Sequence, residues 1–215
     1  MNNSFLESIF KLLSANLQYP YYQGERRIDI FINFFLEDII RQNTHFTDAE
    51  YLVPEFPLKK NDTSDHAAHI DYLMFSKKEN TVLLVELKTD NSSISESQID
   101  FYLNHRNFSE MFEKYSTIKM KNFTDKKEVL NKRLELLAKE DHDKYDIALV
   151  ILKPSLNDKD HALKDVNNGR LYFVPLADLE LETQHQAEWE LFKNTILKNL
   201  RIKARMQKGG FQGTP

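Results

Sequence analysis

The chain has 215 residues and a mass of 25.4 kDa, a size that is typical of one domain and sufficient to bury a hydrophobic core. It contains no cysteine, which excludes a disulfide framework, a cysteine nucleophile and metal sites built from thiolates. The net charge of −4 provides no general basic coat for nucleic acid, so a nucleic-acid partner has to be inferred from a local site.

The apolar stretches of the chain are too interrupted by charge to cross a membrane. Residues 28–40, for example, contain three acids, and residues 1–4 lack the basic flank of a secretory signal. No glycine-rich phosphate loop and no Gly-x-Ser-x-Gly motif is present. We therefore expect a cytoplasmic protein without a membrane partner, with one domain over residues 1–205 and a flexible tail at residues 206–215.

Apolar residues recur at helical spacing in two N-terminal segments. The first covers residues 4–17 and is followed by Pro20, which blocks continuation of a helix. The second covers residues 25–41, directly after Gly24, and has a broad apolar stripe. The pattern predicts two amphipathic helices.

Three strands are predicted next. Residues 50–59 look extended, and their two prolines favour a position at a sheet edge. Residues 69–75 and 82–88 are two further strand segments, and the polar residues 76–80 between them have the length of a hairpin loop. These two strands are therefore expected to pair antiparallel.

The remaining segments alternate between helix and strand. The first is a helical segment with apolar positions from Ile99 to Tyr115. A charged helix at residues 124–140 follows, with a narrow apolar stripe of Val129, Leu130, Leu134 and Leu137. Apolar strands are predicted at residues 145–152 and 171–174, a short helical turn at residues 175–181, and a last helix at residues 186–205. This order predicts an α/β fold with a central sheet of about five strands and helices on both faces.

Two acids and a lysine fall on the strands of the predicted hairpin. Asp71 lies in the first strand, and Glu86 and Lys88 end the second. Because side chains alternate along a strand, Glu86 and Lys88 project from one face, whereas Val85 and Leu87 enter the apolar layer on the other. The pattern predicts two carboxylates and an amine at one edge of the sheet.

Asp71, Glu86 and Lys88 have the chemistry of a magnesium site. Mg²⁺ prefers oxygen ligands, and one or two carboxylates suffice when water and a substrate phosphate supply the rest. A metal so placed would polarise a phosphoryl oxygen and lower the pKa of a bound water. Lys88 would orient the attacking water or stabilise charge on the phosphate, and the sequence leaves both roles open.

Plainer interpretations of the same residues stay open. Carboxylates at strand ends can form a solvated rim, and Glu86 and Lys88 can form an ion pair of little energetic value. His66 and His69, near Asp71, have the pattern of a loop histidine and a histidine at a strand start. Lys153, after a later apolar strand, either contacts a nucleic-acid backbone or simply ends its strand.

Asp71 followed by Glu86-Leu87-Lys88 resembles the signature of the PD-(D/E)xK nuclease superfamily, whose members bind magnesium and cleave phosphodiester bonds. The resemblance spans roughly residues 24–102. Ile70 stands where the signature has proline, a departure that the superfamily often shows. The resemblance implies a restriction-endonuclease-like fold, with a central mixed sheet of about five strands flanked by helices.

Two further elements carry the resemblance. Gln98 and Tyr102 share a helix face and are similar to the Gln-x-x-x-Tyr element of RecB-like members, where these side chains lie beside the catalytic centre. Residues 24–26 are similar to the Gly/Ala-Glu-Arg sequence that begins a helix in resolvase-like members, which makes Glu25 the acid expected to complete the site. Glu37, on the same predicted helix, is the competing candidate.

The resemblance implies a metal-dependent nuclease that hydrolyses DNA, with Mg²⁺ as its cofactor and Mn²⁺ as a substitute. Asp71, Glu86 and the backbone carbonyl of Leu87 would bind the metal. Lys88 would assist the attacking water, and the Gln-x-x-x-Tyr pair would order the site from behind. RNA stays open as a substrate, as do the mode of cleavage, the pathway (repair, recombination, restriction or defence), the oligomeric state and a partner protein.

Two alternatives to this assignment come from the sequence itself. The first is a catalytically silent protein of the nuclease fold that acts as a nucleic-acid-binding or assembly module. The second concerns Pro54-Glu55, which resembles the proline-acid pair of the signature but lies far from Glu86 for a single hairpin. We interpret that pair as an edge-strand feature outside the site.

Overall fold

The structure is a computed structural model. It describes residues 4–16, 25–59, 67–89, 95–105, 107–118, 124–138, 144–167 and 169–200. The predicted loop at residues 60–65, His66, and the end of the chain from residue 201, including the predicted tail, lie outside these ranges. No helix within these ranges is long and apolar enough to cross a membrane.

A five-stranded mixed sheet forms the centre of the molecule, and its strands are adjacent in chain order. The strands are β1 (Glu50–Lys59), β2 (Ala67–Ser76), β3 (Thr81–Leu87), β4 (Asp146–Lys153) and β5 (Leu171–Pro175). β1, β2 and β3 pair antiparallel, whereas β3, β4 and β5 pair parallel. The predicted α/β fold with a central mixed sheet is therefore confirmed, as is the β2–β3 hairpin.

Helices cover both sides of this sheet. They are α1 (Ser4–Asn16), α2 (Glu25–Asn43), α3 (Glu96–Leu103), α4 (Phe108–Ser116), α5 (Thr124–Ala138), α6 (Asp158–Val166) and α7 (Gln186–Phe192). A 3₁₀ turn at Leu176–Asp178 follows β5, and α7 continues into a π-helical turn at Lys193–Leu197.

The core has two layers, one on each face of the sheet. On the α2 face, α1, α2 and α7 pack against side chains such as Leu83 and Val85 of β3. On the α3 face, α3, α4 and α5 pack against the alternate β3 side chains, including Val82 and Leu84. All seven residues of β3 are buried as a result, which explains its nearly continuous apolar sequence.

Three local predictions differ from the structure. The helical segment that was predicted across residues 99–115 is two helices, because Asn107 caps α4 by accepting a hydrogen bond from the backbone N–H of Glu110 (3.0 Å). Val129 does not belong to the apolar stripe of α5, since it is 66% exposed. α6 was not predicted; it is a short helix held at its start by a capping box of Asn157 and Asp160.

Candidate active site

Asp71 and Glu86 lie side by side on neighbouring strands. The last pair of the β2–β3 ladder is Tyr72 with Val85, and Asp71 and Glu86 are the next residues of the two strands. Asp71 Oδ2 accepts a hydrogen bond of 2.6 Å from the backbone N–H of Leu87. This bond holds the Asp71 carboxylate at the end of β3, where the alternation of side chains had indicated that the two acids would meet.

The Glu86 carboxylate is buried and bonded on both oxygens. The residue is 5% exposed. Oε1 accepts hydrogen bonds from Lys88 Nζ (2.7 Å) and Gln98 Nε2 (3.1 Å), and Oε2 accepts one from the Tyr102 hydroxyl (3.1 Å). A buried charge is stable only when it is paired and hydrogen-bonded. These three donors therefore explain how the Glu86 carboxylate can be buried between β3 and α3.

Lys88 extends the β3 register by one step. Its backbone N–H donates to Leu152 O of β4 (2.8 Å), so the chain is still held against the sheet. Its side chain is 12% exposed and lies on the same face of the sheet as Glu86. The two side chains form an ion pair, as the sequence had allowed. The ammonium is therefore fixed beside the carboxylate and partly open to solvent.

α3 supplies the remaining two donors around Glu86. Ser95 caps the helix by accepting a hydrogen bond from the backbone N–H of Gln98 (3.2 Å), which fixes where the helix begins. Gln98 and Tyr102 lie one turn apart, and Gln98 Nε2 donates to the Tyr102 hydroxyl (3.1 Å). Burial, and then the Glu86 charge, raise the pKa of Tyr102, so its hydroxyl stays protonated and donates to the carboxylate.

The two candidate acids on α2 lie at different ends of that helix. The Tyr72 hydroxyl donates to Asp29 O (3.1 Å), which places the start of α2 beside the part of β2 that carries Asp71. Glu37 lies eight residues further, about 12 Å along the axis, where it pairs with Arg41 (2.9 Å).

Glu37 Oε1 also accepts a hydrogen bond from the backbone N–H of Tyr51 (2.9 Å), at the start of β1. The geometry thus commits Glu37 to a structural role away from Glu86. Glu25 is the first residue of α2 and belongs to the end that lies near Asp71, but its side chain is outside the described part of the structure.

Glu55 lies closer to the site than the interpretation of Pro54-Glu55 as an edge-strand feature outside the site had it. The β1–β2 register pairs its neighbours Pro54 and Phe56 with Tyr72 and Ile70, the neighbours of Asp71, so Glu55, Asp71 and Glu86 lie in a row on three adjacent strands. Its φ of 49° is in the left-handed region, which is uncommon for a residue other than glycine. Glu55 is indeed on an edge strand, as expected; what its spacing in the sequence could not show is the cross-strand register.

The negative charge of the row extends to the α2 face. Burial is the main reason that the pKa of Tyr72 is raised, and the nearby charges of Asp71, Asp29 and Glu55 raise it further. Four acids of β1, β2, β3 and α2 thus lie around one end of the hairpin. Asp29 was missed by sequence analysis, because it is one of many polar positions on an amphipathic helix.

The candidate ligand atoms of the site are oxygens, which are the ligands that Mg²⁺ prefers. Asp71, Glu86 and the Leu87 carbonyl offer these ligands, with the remaining positions left to water and substrate. Within the described residues, no three acidic or histidine side chains lie close enough together to form a complete metal cage. Such a cage is not needed by a cation that shares its coordination with a phosphate.

Lys153 is buried in the fold and is not available to bind a substrate. It is 1% exposed, and its Nζ donates to both carboxylate oxygens of Asp160 at 2.8 Å. The hypothesis that it contacts a nucleic-acid backbone is therefore wrong, since the fold itself uses its charge. His69, in contrast, is exposed on β2 two residues before Asp71.

Comparison of the chain with models of protein families, with curated proteins and with solved structures found no match. The function has to be inferred from the geometry of the site.

Proposed function

We propose that the protein is a metal-dependent nuclease of the PD-(D/E)xK type that hydrolyses phosphodiester bonds of DNA. The observation that carries the proposal is the Glu86 carboxylate, which is buried, oriented by three donors from β3 and α3, and adjacent to a second acid. A solvated rim would need neither the burial nor the donors. Buried polar groups that converge on one point in this way are characteristic of functional sites.

Asp71, Glu86 and the Leu87 carbonyl would hold Mg²⁺, or Mn²⁺ in its place. The bound cation supplies positive charge that stabilises the negative charge developing on the phosphate. The hydrogen bond from the Leu87 N–H already fixes one oxygen of Asp71, so this carboxylate can orient its other oxygen without reorganisation.

Lys88 acts on the substrate side of Glu86. Its ammonium is held at 2.7 Å from the carboxylate and is only 12% exposed, so little water screens it. From there it donates to the attacking water or to a phosphate oxygen. Gln98 and Tyr102 keep the Glu86 carboxylate oriented, and the raised pKa of Tyr102 preserves its donor proton.

The test is cleavage of supercoiled plasmid and of linear single-stranded DNA and RNA in Mg²⁺ or Mn²⁺. We expect the wild type to cleave, and Asp71→Ala and Lys88→Ala to lose roughly 10²–10³-fold in rate, the usual cost of removing one charge-stabilising group. Lys164→Ala, which removes an exposed lysine of α6, is the matched control and should retain activity. Equal cleavage by all four proteins would refute the site.

A second function is favoured by one observation. Both oxygens of Glu86 are already occupied by donors of the protein, as they would be in a purely structural ion pair. A catalytically silent module that binds nucleic acid or assembles with a partner would have this geometry. It would show binding to DNA without cleavage in either metal, and the Lys88→Ala variant would then bind as the wild type does.

A further inference from the structure

A groove with a volume of about 800 Å³ opens between the edge of the sheet and α5, and Glu55 and His69 are among the residues that line it. We call it the β1 groove. Its walls are largely apolar and include Pro54, Pro57, Ile118 and Val129. The volume is within the range of about 300–1,000 Å³ that is typical of pockets for organic ligands.

The groove begins close to the proposed site. Glu55 and His69 both line it. The β1–β2 register pairs Pro54 with Tyr72 and Phe56 with Ile70, which brings Glu55 near Asp71, and His69 lies two residues before Asp71 on β2. A nucleic-acid strand whose phosphate lies at Asp71 and Glu86 can therefore place its neighbouring nucleotides in the β1 groove.

The charges of the groove do not suit a duplex. Among the described residues that line it, Arg133 of α5 is the only arginine or lysine, and Glu55 opposes it with a negative charge. Duplex DNA is held mainly by many simultaneous contacts of Lys and Arg with its phosphates. One arginine can contact one phosphate, so most of the binding energy has to come from the apolar walls.

The apolar walls are open to a ligand. Val129 is 66% exposed, although it lies on a helix whose Leu134 and Leu137 are fully buried. Its side chain adds to the largely apolar lining of the groove, and contiguous exposed apolar surface often marks a binding site. Flat apolar and aromatic groups can pack there, and in nucleic acids these are the faces of unpaired bases, which a duplex hides by stacking.

We propose that the β1 groove binds unpaired bases of a single-stranded segment whose phosphate lies at Asp71 and Glu86. Arg133 contacts a phosphate of the same segment, and Val129 packs against a base. The inference rests on the proposed function for the position of the reacting phosphate. It adds the strandedness of the substrate and the residues that recognise it.

Binding is measured by fluorescence anisotropy with three labelled 12-nucleotide probes in Ca²⁺, an oxygen-liganded cation that can hold the phosphate at Asp71 and Glu86, and a gel confirms that the probes stay uncut. The probes are a single strand, the same sequence as a duplex, and a single strand with abasic sites that keeps every phosphate. We expect the single strand to bind at least about tenfold more tightly than the other two, since base packing supplies the affinity. Equal affinity for the duplex or for the abasic strand would overturn the proposal.

Two variants test the residues. Val129→Asp is expected to weaken single-strand binding about tenfold and Arg133→Ala about fivefold. Lys132→Ala removes the same charge from the neighbouring exposed position of α5, outside the groove, and should change binding less than about twofold. All three positions are exposed, so melting curves should coincide with that of the wild type. Equal effects of Arg133→Ala and Lys132→Ala on binding would show that the β1 groove is not the binding site for the single strand.

The outcome separates the groove from the nuclease. A protein that cleaves DNA in a Lys88-dependent way, but binds duplex and single strand equally, keeps the proposed function and loses the groove. A protein that binds a single strand through Val129 and Arg133, but cleaves nothing, keeps the binding site and loses the nuclease.

Discussion

Two lysine–carboxylate pairs lie on neighbouring strands of the same sheet face, and they differ in what surrounds them. The ladder pairs Leu87 of β3 with Leu152 of β4, so Lys88 and Lys153 occupy the next positions of the two strands. Lys88 is 2.7 Å from its acid, and Lys153 is 2.8 Å from its own. Distance and chemistry are therefore nearly the same in the two pairs.

The second pair is closed by the fold. The side chains of Lys153 and Asp160 are 1% and 4% exposed. Asp160 also accepts a hydrogen bond from the backbone N–H of Asn157 (2.8 Å), and so completes the cap of α6. Every strong donor near this carboxylate comes from the elements that it joins. The pair ties β4 to α6.

The first pair borders on a second acid and on solvent. Lys88 keeps 12% of its side chain exposed, and Asp71 lies on the neighbouring strand, just beyond the last β2–β3 pair, Tyr72 with Val85. A buried lysine–carboxylate pair is therefore not in itself a sign of function, since donors fix both carboxylates. What distinguishes the Glu86 pair is an adjacent acid and a side that is open to solvent.

The largest effect on stability is expected at the closed pair. Lys153→Met leaves Asp160 buried without its partner, so the free energy of unfolding should fall by about 3–5 kcal/mol in urea denaturation. Lys159→Met breaks an ion pair with Glu96 whose side chains are 59% and 63% exposed, and it should cost less than about 1 kcal/mol. Similar losses for the two variants would show that the closed pair is not the structural tie.

A smaller effect, on activity, is expected around Glu86. Tyr102→Phe removes one donor to the carboxylate but keeps the ring, and it should slow cleavage roughly 10–100-fold, as loss of an orienting partner does. Tyr115→Phe is the matched control. Tyr115 is also buried on the α3 face, but its hydroxyl donates to Asn131 (2.8 Å), so plasmid cleavage should be unchanged. If the two variants cleave alike, the Tyr102 hydroxyl has no role in ordering the site.

The smallest effect concerns His105, a buried titratable group. It is 4% exposed, and neither ring nitrogen has a hydrogen-bond partner among the residues that the structure describes. Burial lowers the pKa of His105, the charges of Lys114 and Arg170 lower it further, and Glu110 opposes them. The unfolded chain therefore takes up a proton near pH 6.5 before the folded protein does, and stability should fall as the pH drops below that value.

Urea denaturation at pH 7.5, 6.5 and 5.5 measures this effect. His105→Phe, which keeps an aromatic ring near Phe101, should lose less stability than the wild type between pH 6.5 and 5.5. Identical pH dependence in the two proteins would show that His105 is not neutral in the fold. Within the described part of the chain, His105 has no hydrogen-bond partner, unlike the two lysines, so its pH dependence measures a cost that the two ion pairs avoid.

The sequence predicts the open pair better than the closed one. The strand period places Glu86 and Lys88 on one face, and the hairpin length brings Asp71 to the neighbouring strand. These relations are local and do not depend on the rest of the fold. The Lys153–Asp160 pair depends on α6, whose nine residues have too weak an apolar pattern to be recognised.

The remaining differences have the same physical origin. The position of Glu55 near Asp71 follows from a strand register, which the spacing of residues along the chain does not reveal. The break between α3 and α4 depends on the capping hydrogen bond of Asn107, which outweighs the apolar spacing across it. The exposure of Val129 is set by how α5 lies over β1, which is a tertiary property.

The most direct test replaces each lysine in turn and measures plasmid cleavage in Mg²⁺ under conditions in which all proteins are folded. Lys88→Met should cleave at least about 100-fold more slowly than the wild type, because the charge beside the reacting phosphate is lost. Lys153→Met should cleave at nearly the wild-type rate in spite of its lower stability. Equal rates for the two variants would contradict the claim that only the pair beside Asp71 performs chemistry.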